Sequence, residues 1–167
     1  MNITLPDPSL VVLIGVSGSG KSTFARQHFA PTEIVSSDHC RALVCDDENN
    51  QAVNQDAFEL VHLIAAKRLA HRKLTVIDAT NVEASARQPL LDLAKAYQVP
   101  VLAILLNLAE TLCCTRDAAR SQRNVGAEII QQQGRRLQLS LDELPQFSHV
   151  YQLHTPEEIA AVTIART

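Results

Sequence analysis

Residues 15–22 read Gly15-Val16-Ser17-Gly18-Ser19-Gly20-Lys21-Ser22 and match G-x-x-x-x-G-K-[ST] without exception. Glycines at this spacing let successive backbone N–H groups turn inward and cradle phosphate oxygens. A helix starting at Lys21 adds the positive end of its dipole. Lys21 then reaches the β- and γ-phosphates. The Ser22 hydroxyl suits Mg²⁺ (or Mn²⁺), whose remaining ligands are phosphate oxygens and waters. Gly15, Ser17, Gly18, Ser19, Gly20, Lys21, Ser22 and Thr23 are therefore the expected contacts of a nucleoside triphosphate.

A phosphate loop alone does not separate kinases from switches, motors or adaptors. The segment Val35-Ser36-Ser37-Asp38-His39-Cys40-Arg41 is more discriminating. It follows a short apolar stretch and belongs at the same sheet edge as the loop. Asp38 has the chemistry to take a proton from an attacking hydroxyl. Arg41, three residues on, shares its helical face and suits an anionic group on the acceptor. The competing reading makes Asp38 a helix N-cap, a position Asp fills well. His39 reads as a structural or solvent-facing side chain. Asp78 closes the apolar run Leu74-Thr75-Val76-Ile77 and suits Mg²⁺ or its waters. Its alternative is a plain strand-ending turn. The Ala79-Thr80-Asn81 turn, with Arg87 further on, is expected at the same edge.

Arg116, Arg120 and Arg123 are spaced four and three apart, so on one helix they fall within about 60° of each other. Arginines that close over phosphates neutralise the charge of phosphoryl transfer. The expectation is a helical, Arg-rich lid over about residues 110–138, with Gly126 and Gly134 letting it open and close. The alternative is a solvated helix face.

These side chains need a scaffold, and the hydrophobic pattern supplies one. Leu10–Ile14, Leu74–Ile77 and Val101–Leu106 are continuous apolar runs, as for strands buried on both faces. Glu33–Val35 and His149–Leu153 read as further strands. Helical patterns cover Lys21 to Phe29, Ala52 to His71, Glu83 to Tyr97 and, in two pieces, Glu110 to Gln138. Pro6 and Pro8 mark an irregular lead, and Pro156 opens a terminal helix. Alternation of this kind predicts an α/β fold of the P-loop NTPase type, a mainly parallel sheet flanked by helices. Ligands bind at the carboxyl ends of such strands.

Composition narrows the function classes. The 167 residues make one domain with one core. Hydrophobic residues are 46% and charged residues 20% of the chain, which places it with globular domains rather than disordered ones. No apolar run approaches about 18 residues and no signal-peptide pattern opens the chain. Both point to a cytoplasmic protein without a membrane partner. The net charge of -3 argues against coating long nucleic acid but not against gripping a strand end. Cys40, Cys45, Cys113 and Cys114 fit no zinc spacing and read as reduced thiols.

Over nearly its whole length the chain resembles the kinase domain of bacterial polynucleotide kinase-phosphatase, an RNA-repair family. The resemblance runs through Leu10 to Phe24, Pro31 to Arg41 (PTEIVSSDHCR), Asp46 to Asn49 (DDEN), Leu74 to Val82 (LTVIDATNV), Arg87 and the pattern Cys113-x-x-Arg116-x-x-x-Arg120-x-x-Arg123. It implies an ATP- or GTP-using kinase for 5′-OH RNA or DNA ends, with Asp38 as general base. Arg41 would hold the phosphate just 3′ of the accepting nucleoside, and Arg116 and Arg123 would close on the donor. Gln51, after the DDEN turn, is expected in the acceptor groove. The family's kinase domain usually leads a longer chain with further repair modules, so other domains or subunits are expected partners. Asp117 and Ala118-Ala119 depart from the polar or basic residues expected in the lid. The alternative activity is that of a small-molecule kinase acting on a sugar acid or nucleoside. A nucleotide-binding adaptor is the reading from outside the enzymes.

Overall fold

The computed structural model describes residues 1–121 and 124–167. Five strands, β2 (Leu10–Ile14), β3 (Ile34–Ser36), β4 (Thr75–Asp78), β5 (Val101–Leu106) and β6 (His149–Leu153), form one sheet in the order β3-β4-β2-β5-β6. Every neighbouring pair is parallel. Parallel strands need crossovers, and the intervening segments supply them as α1 (Lys21–His28), α2 (Ser37–Cys45), α3 (Asn54–Ala70), α4 (Ala84–Ala96), α5 (Glu110–Ala118) and α6 (Ala127–Leu139).

Period-two alternation in β2 divides the core between the two faces. Leu10, Val12 and Ile14 pack with Val61, Ala65 and Leu69 of α3, Leu90 and Ala94 of α4, and Ile130 and Leu137 of α6. Val11 and Leu13 pack on the other face with Phe24 and Ala25 of α1 and with Phe29 just past its end. Burial on both faces is why β2 and β5 carry no polar residue. The strand order reverses direction around β2, so the crevice at its carboxyl end is where such sheets receive ligands.

The two chain ends depart from expectation. The lead before Pro6 is a strand, β1 (Asn2–Leu5), paired in parallel with β7 (Thr163–Arg166). The terminal helix α7 (Pro156–Ala160) lasts only five residues before β7 begins. Ile3 and Leu5 alternate with exposed neighbours and enter the α1-side core. Four residues of alternation are too few to read without knowing the partner, which lies at the opposite end of the sequence. Among the described residues no helix is long and apolar enough to cross a membrane.

Candidate active site

After Ile14 the backbone turns sharply. Gly15 donates its N–H to Thr80 O at 3.0 Å, tying the loop to the turn after β4. A Cβ at Gly15 would lie 2.8 Å from Leu106 O, and one at Gly18 (φ +83°) would collide with the Cys113 carbonyl of α5. The loop is therefore pressed between β5 and α5, closer than any side chain permits. Lys21 opens α1 and is buried, its Nζ donating to Val16 O (2.9 Å) and Ser19 Oγ (3.4 Å). Its ammonium thus folds back over the loop it belongs to. Burial pushes the Cys113 thiol up, against the opposing pull of Lys21 and Arg116, and all four cysteines are free.

The residues expected on the acceptor side, Asp38 and Arg41, lie on α2. Ser36 caps this helix, its Oγ accepting the His39 N–H at 3.3 Å. Asp38 is therefore not the N-cap; it sits in the first turn with its carboxylate paired to the Arg41 guanidinium. Arg41 is buried at 4% exposure. Its Nε donates to Glu48 O (2.8 Å) and a terminal nitrogen to Asn54 Oδ1 (2.9 Å). One guanidinium so joins α2, the turn after it and the start of α3. Burial pulls its pKa below the ordinary arginine value, opposed by Glu48. Gln51 lies in a single 3-10 turn, Gln51–Val53, exposed at the mouth of the site. The β3–β4 register sets Ser36 opposite Asp78, which brings the head of α2 beside the buried Asp78 carboxylate.

One open cleft of about 1750 Å³ joins these groups. Ser17, Gly18, Gly20, Lys21, Ser22, Thr23, Asp38, Arg41, Gln51, Asp78 and Arg120 line it, while Gly15 and Ser19 do not and instead shape the loop from behind. The Ser22 hydroxyl and the Asp78 carboxylate are hard oxygen donors in the same cleft. Among the described residues no group of three or more His, Cys, Asp or Glu side chains is placed to hold a metal ion by itself. Such a sparse oxygen set fits Mg²⁺, which keeps several waters and takes substrate phosphates as ligands.

The arginine segment differs most from expectation. Helix α5 ends at Ala118, so Arg116 and Arg120 do not share one helical stripe. Arg116 lies against the phosphate loop, 3.7 Å from where a Gly20 Cβ would stand. Arg120 lies past the helix end, exposed and on the cleft wall. Arg123 lies outside the described residues. Asp117 explains the break. It is 1% exposed, and its carboxylate accepts the N–H groups of Val125 (3.0 Å) and Gly126 (3.0 Å), folding the chain back into α6. Gly134, expected at a hinge, lies inside α6 rather than between helices and faces Glu110 of α5.

The far end of α6 is fixed as well. Ser140 Oγ donates to Val82 O at 2.7 Å, and Arg136 pairs with Glu83 at 2.7 Å. Arg87 was expected at the ligand edge. It is instead buried at 1% exposure, donating to Asn81 O (3.0 Å) and Ser140 O (2.8 Å). Sequence reasoning also missed Gln133, whose Oε1 accepts the Ser17 N–H at 2.7 Å. Nothing marks it within Gln131-Gln132-Gln133, since only the helical phase and the docking of α6 decide which of the three meets the loop.

The sequence profile of a family described as an AAA domain matches residues 10–143. The chain belongs to this family. Several solved structures resemble this AAA domain, and no curated protein matches it. It is similar to a chain of the Pnkp1/Rnl/Hen1 RNA repair complex, with 24% identity and a TM-score of 0.69, over 83% of this chain and 47% of that one. The AAA domain thus spans about half the length of that repair protein. It is similar to Kti12 of Chaetomium thermophilum in complex with ADP-AlF3, with 18% identity and a TM-score of 0.66, over 90% and 93% of the two chains. It is similar to a gluconokinase from Sinorhizobium meliloti 1021, with 19% identity and a TM-score of 0.58, over 93% and 87%. These likenesses establish a P-loop kinase-like fold.

Proposed function

We propose that this domain is a 5′-hydroxyl polynucleotide kinase. The observation that carries the reading is the single cleft holding both the phosphate loop and the Asp38–Arg41 pair. Its volume of about 1750 Å³ exceeds the roughly 300–1,000 Å³ of a site for one small ligand. A nucleoside triphosphate and the end of a strand fit together in it. The resemblance of the SSD-x-x-R, DDEN and DATN segments to the repair kinases points the same way. The greater length of the matched chain of the Pnkp1/Rnl/Hen1 complex supports a domain that works beside other repair modules.

ATP or GTP lays its phosphates along the loop N–H groups and the start of α1, with Lys21 on the β- and γ-phosphates. Ser22, with Asp78 directly or through water, would hold Mg²⁺, which would supply charge neutralisation on the phosphates. Asp38 accepts the proton of the 5′-hydroxyl as that oxygen bonds to the γ-phosphorus. The bond from the γ-phosphorus to the leaving diphosphate oxygen breaks in the same transfer, and the diphosphate carries the departing charge. Arg116 and Arg120 offset charge on the donor. Arg41 aims the Asp38 carboxylate and offers its guanidinium to the acceptor phosphate.

A small-molecule acceptor is the second reading. It is favoured by the engagement of Arg41 with Asp38, Asn54 and Glu48, which commits much of the guanidinium before any acceptor arrives. Incubation with γ-labelled ATP and Mg²⁺ against a panel of 5′-OH RNA, 5′-OH DNA, gluconate and nucleosides decides between them. Label on an oligonucleotide end supports the proposal. Label confined to a small acceptor overturns it.

A further inference from the structure

The contact between Gln133 and Ser17 carries more than packing. The Val16–Ser17 peptide is held at both ends. Lys21 Nζ donates to its carbonyl at 2.9 Å, and its N–H donates to Gln133 Oε1 at 2.7 Å. Lys21 is the residue that reaches the β- and γ-phosphates in such loops. Gln133 is therefore seated on the same peptide unit as the lysine that grips the terminal phosphates, and its side chain lines the cleft.

The support for this seat is rigid. Gln133 lies on α6 three residues before Arg136, which pairs with Glu83, and seven before Ser140, which is bonded to Val82 and Arg87. At the other end of α6 the Asp117 carboxylate fixes the Gly126 N–H. A side chain anchored between two such points is placed by the fold rather than by chance.

We infer that Gln133 is a positioning residue that reads the terminal phosphate of the donor, an assignment that rests on the phosphotransferase reading of this cleft. A primary amide suits the task because it accepts and donates on adjacent atoms. Its Oε1 is committed to the Ser17 N–H, which orients the Nε2 donors. These donors then meet an oxygen of the γ-phosphate, which a triphosphate has and a diphosphate lacks. Arginine or lysine at this place would bind phosphate but not accept from the loop N–H. Glutamate would accept but would repel the phosphate. Gln133 thereby links the α5–α6 unit to the occupancy of the γ-phosphate position.

The test is equilibrium binding of ADP and of a non-hydrolysable ATP analogue, with Mg²⁺, to wild type, Gln133→Ala and Gln133→Glu. Thermal melts without nucleotide check that each variant is folded. The expected result is a selective loss. Analogue affinity falls roughly tenfold in Gln133→Ala, the worth of one hydrogen bond to a charged group, and further in Gln133→Glu, while ADP affinity moves less than about threefold in both. A residue that only packs α6 against the loop would move both nucleotides together. Equal losses for both, or no loss for either, overturn the assignment and leave the kinase reading standing. A selective loss of analogue binding, in a protein that labels no oligonucleotide, supports Gln133 and overturns the acceptor reading instead.

Discussion

Replacing Gly134 with alanine separates a hinged lid from a fixed one. Gly134 lies inside α6, and a Cβ there would meet only Glu110 Oε2, at 3.4 Å. That is ordinary van der Waals contact with the movable end of a flexible side chain, so the steric cost is small. The gain is the helix propensity of alanine over glycine, about 0.5–1 kcal/mol. For a chain of this size, 1 kcal/mol corresponds to roughly 2–4 °C, so Gly134→Ala is expected to melt about 1–4 °C higher. Phosphoryl transfer should stay within about twofold of wild type, because neither α6 nor the Gln133 contact moves. Differential scanning calorimetry with steady-state transfer kinetics measures both. A lower melting temperature, or a tenfold loss of turnover, would refute the reasoning and return Gly134 to the role of a hinge.

Further perturbations address the supporting parts. Asp117→Ala strips the buried acceptor from the Val125 and Gly126 N–H groups. It should cost about 2–4 kcal/mol, read by urea unfolding, and should speed proteolysis between α5 and α6. Unchanged stability and cleavage would contradict the account of that turn. Glu33→Gln tests the tie between the β1–β7 pair and the main body. Arg166 donates to both Glu33 carboxylate oxygens, at 2.7 and 2.8 Å, and this holds the Glu33 carboxyl below its ordinary value against the opposing effect of burial. A depressed carboxylate contributes stability that is complete above its unfolded pKa of about 4.3 and vanishes as pH falls through the lower folded value. Wild type should exceed Glu33→Gln by about 1 kcal/mol near neutrality, allowing for the half-exposed Arg166. Unfolding titrations should show the gap closing in acid, and a gap that is constant with pH would contradict the assignment.

The sequence carried the site in proportion to how local its physics is. The phosphate loop is legible because its glycines answer a constraint set within eight residues. β5 lies at the boundaries its apolar run predicts, since burial on both faces leaves no alternation to confuse. The Asp38–Arg41 pair follows from helical spacing alone. What the sequence hid depends on distant partners. Arg87 looks like one more cation for phosphate until Ser140, 53 residues on, claims it in the core. Asp117 looks misplaced among lid arginines until the Val125 and Gly126 N–H groups turn back onto it. The break it creates also removes Arg120 from the stripe that spacing alone predicts. β1 is concealed by its partner at the far terminus, and Gln133 by the two glutamines beside it.

The most direct test is transfer of labelled γ-phosphate to a short 5′-OH RNA by wild type and Asp38→Ala, with triphosphate binding measured on both. General-base catalysis contributes about 10²–10⁴-fold. The account predicts a loss of that size in Asp38→Ala with triphosphate affinity kept, because the loop backbone N–H groups and the start of α1 that cradle the phosphates remain in place. Transfer that persists within a few-fold of wild type would contradict the central claim that Asp38 takes the acceptor proton in this cleft.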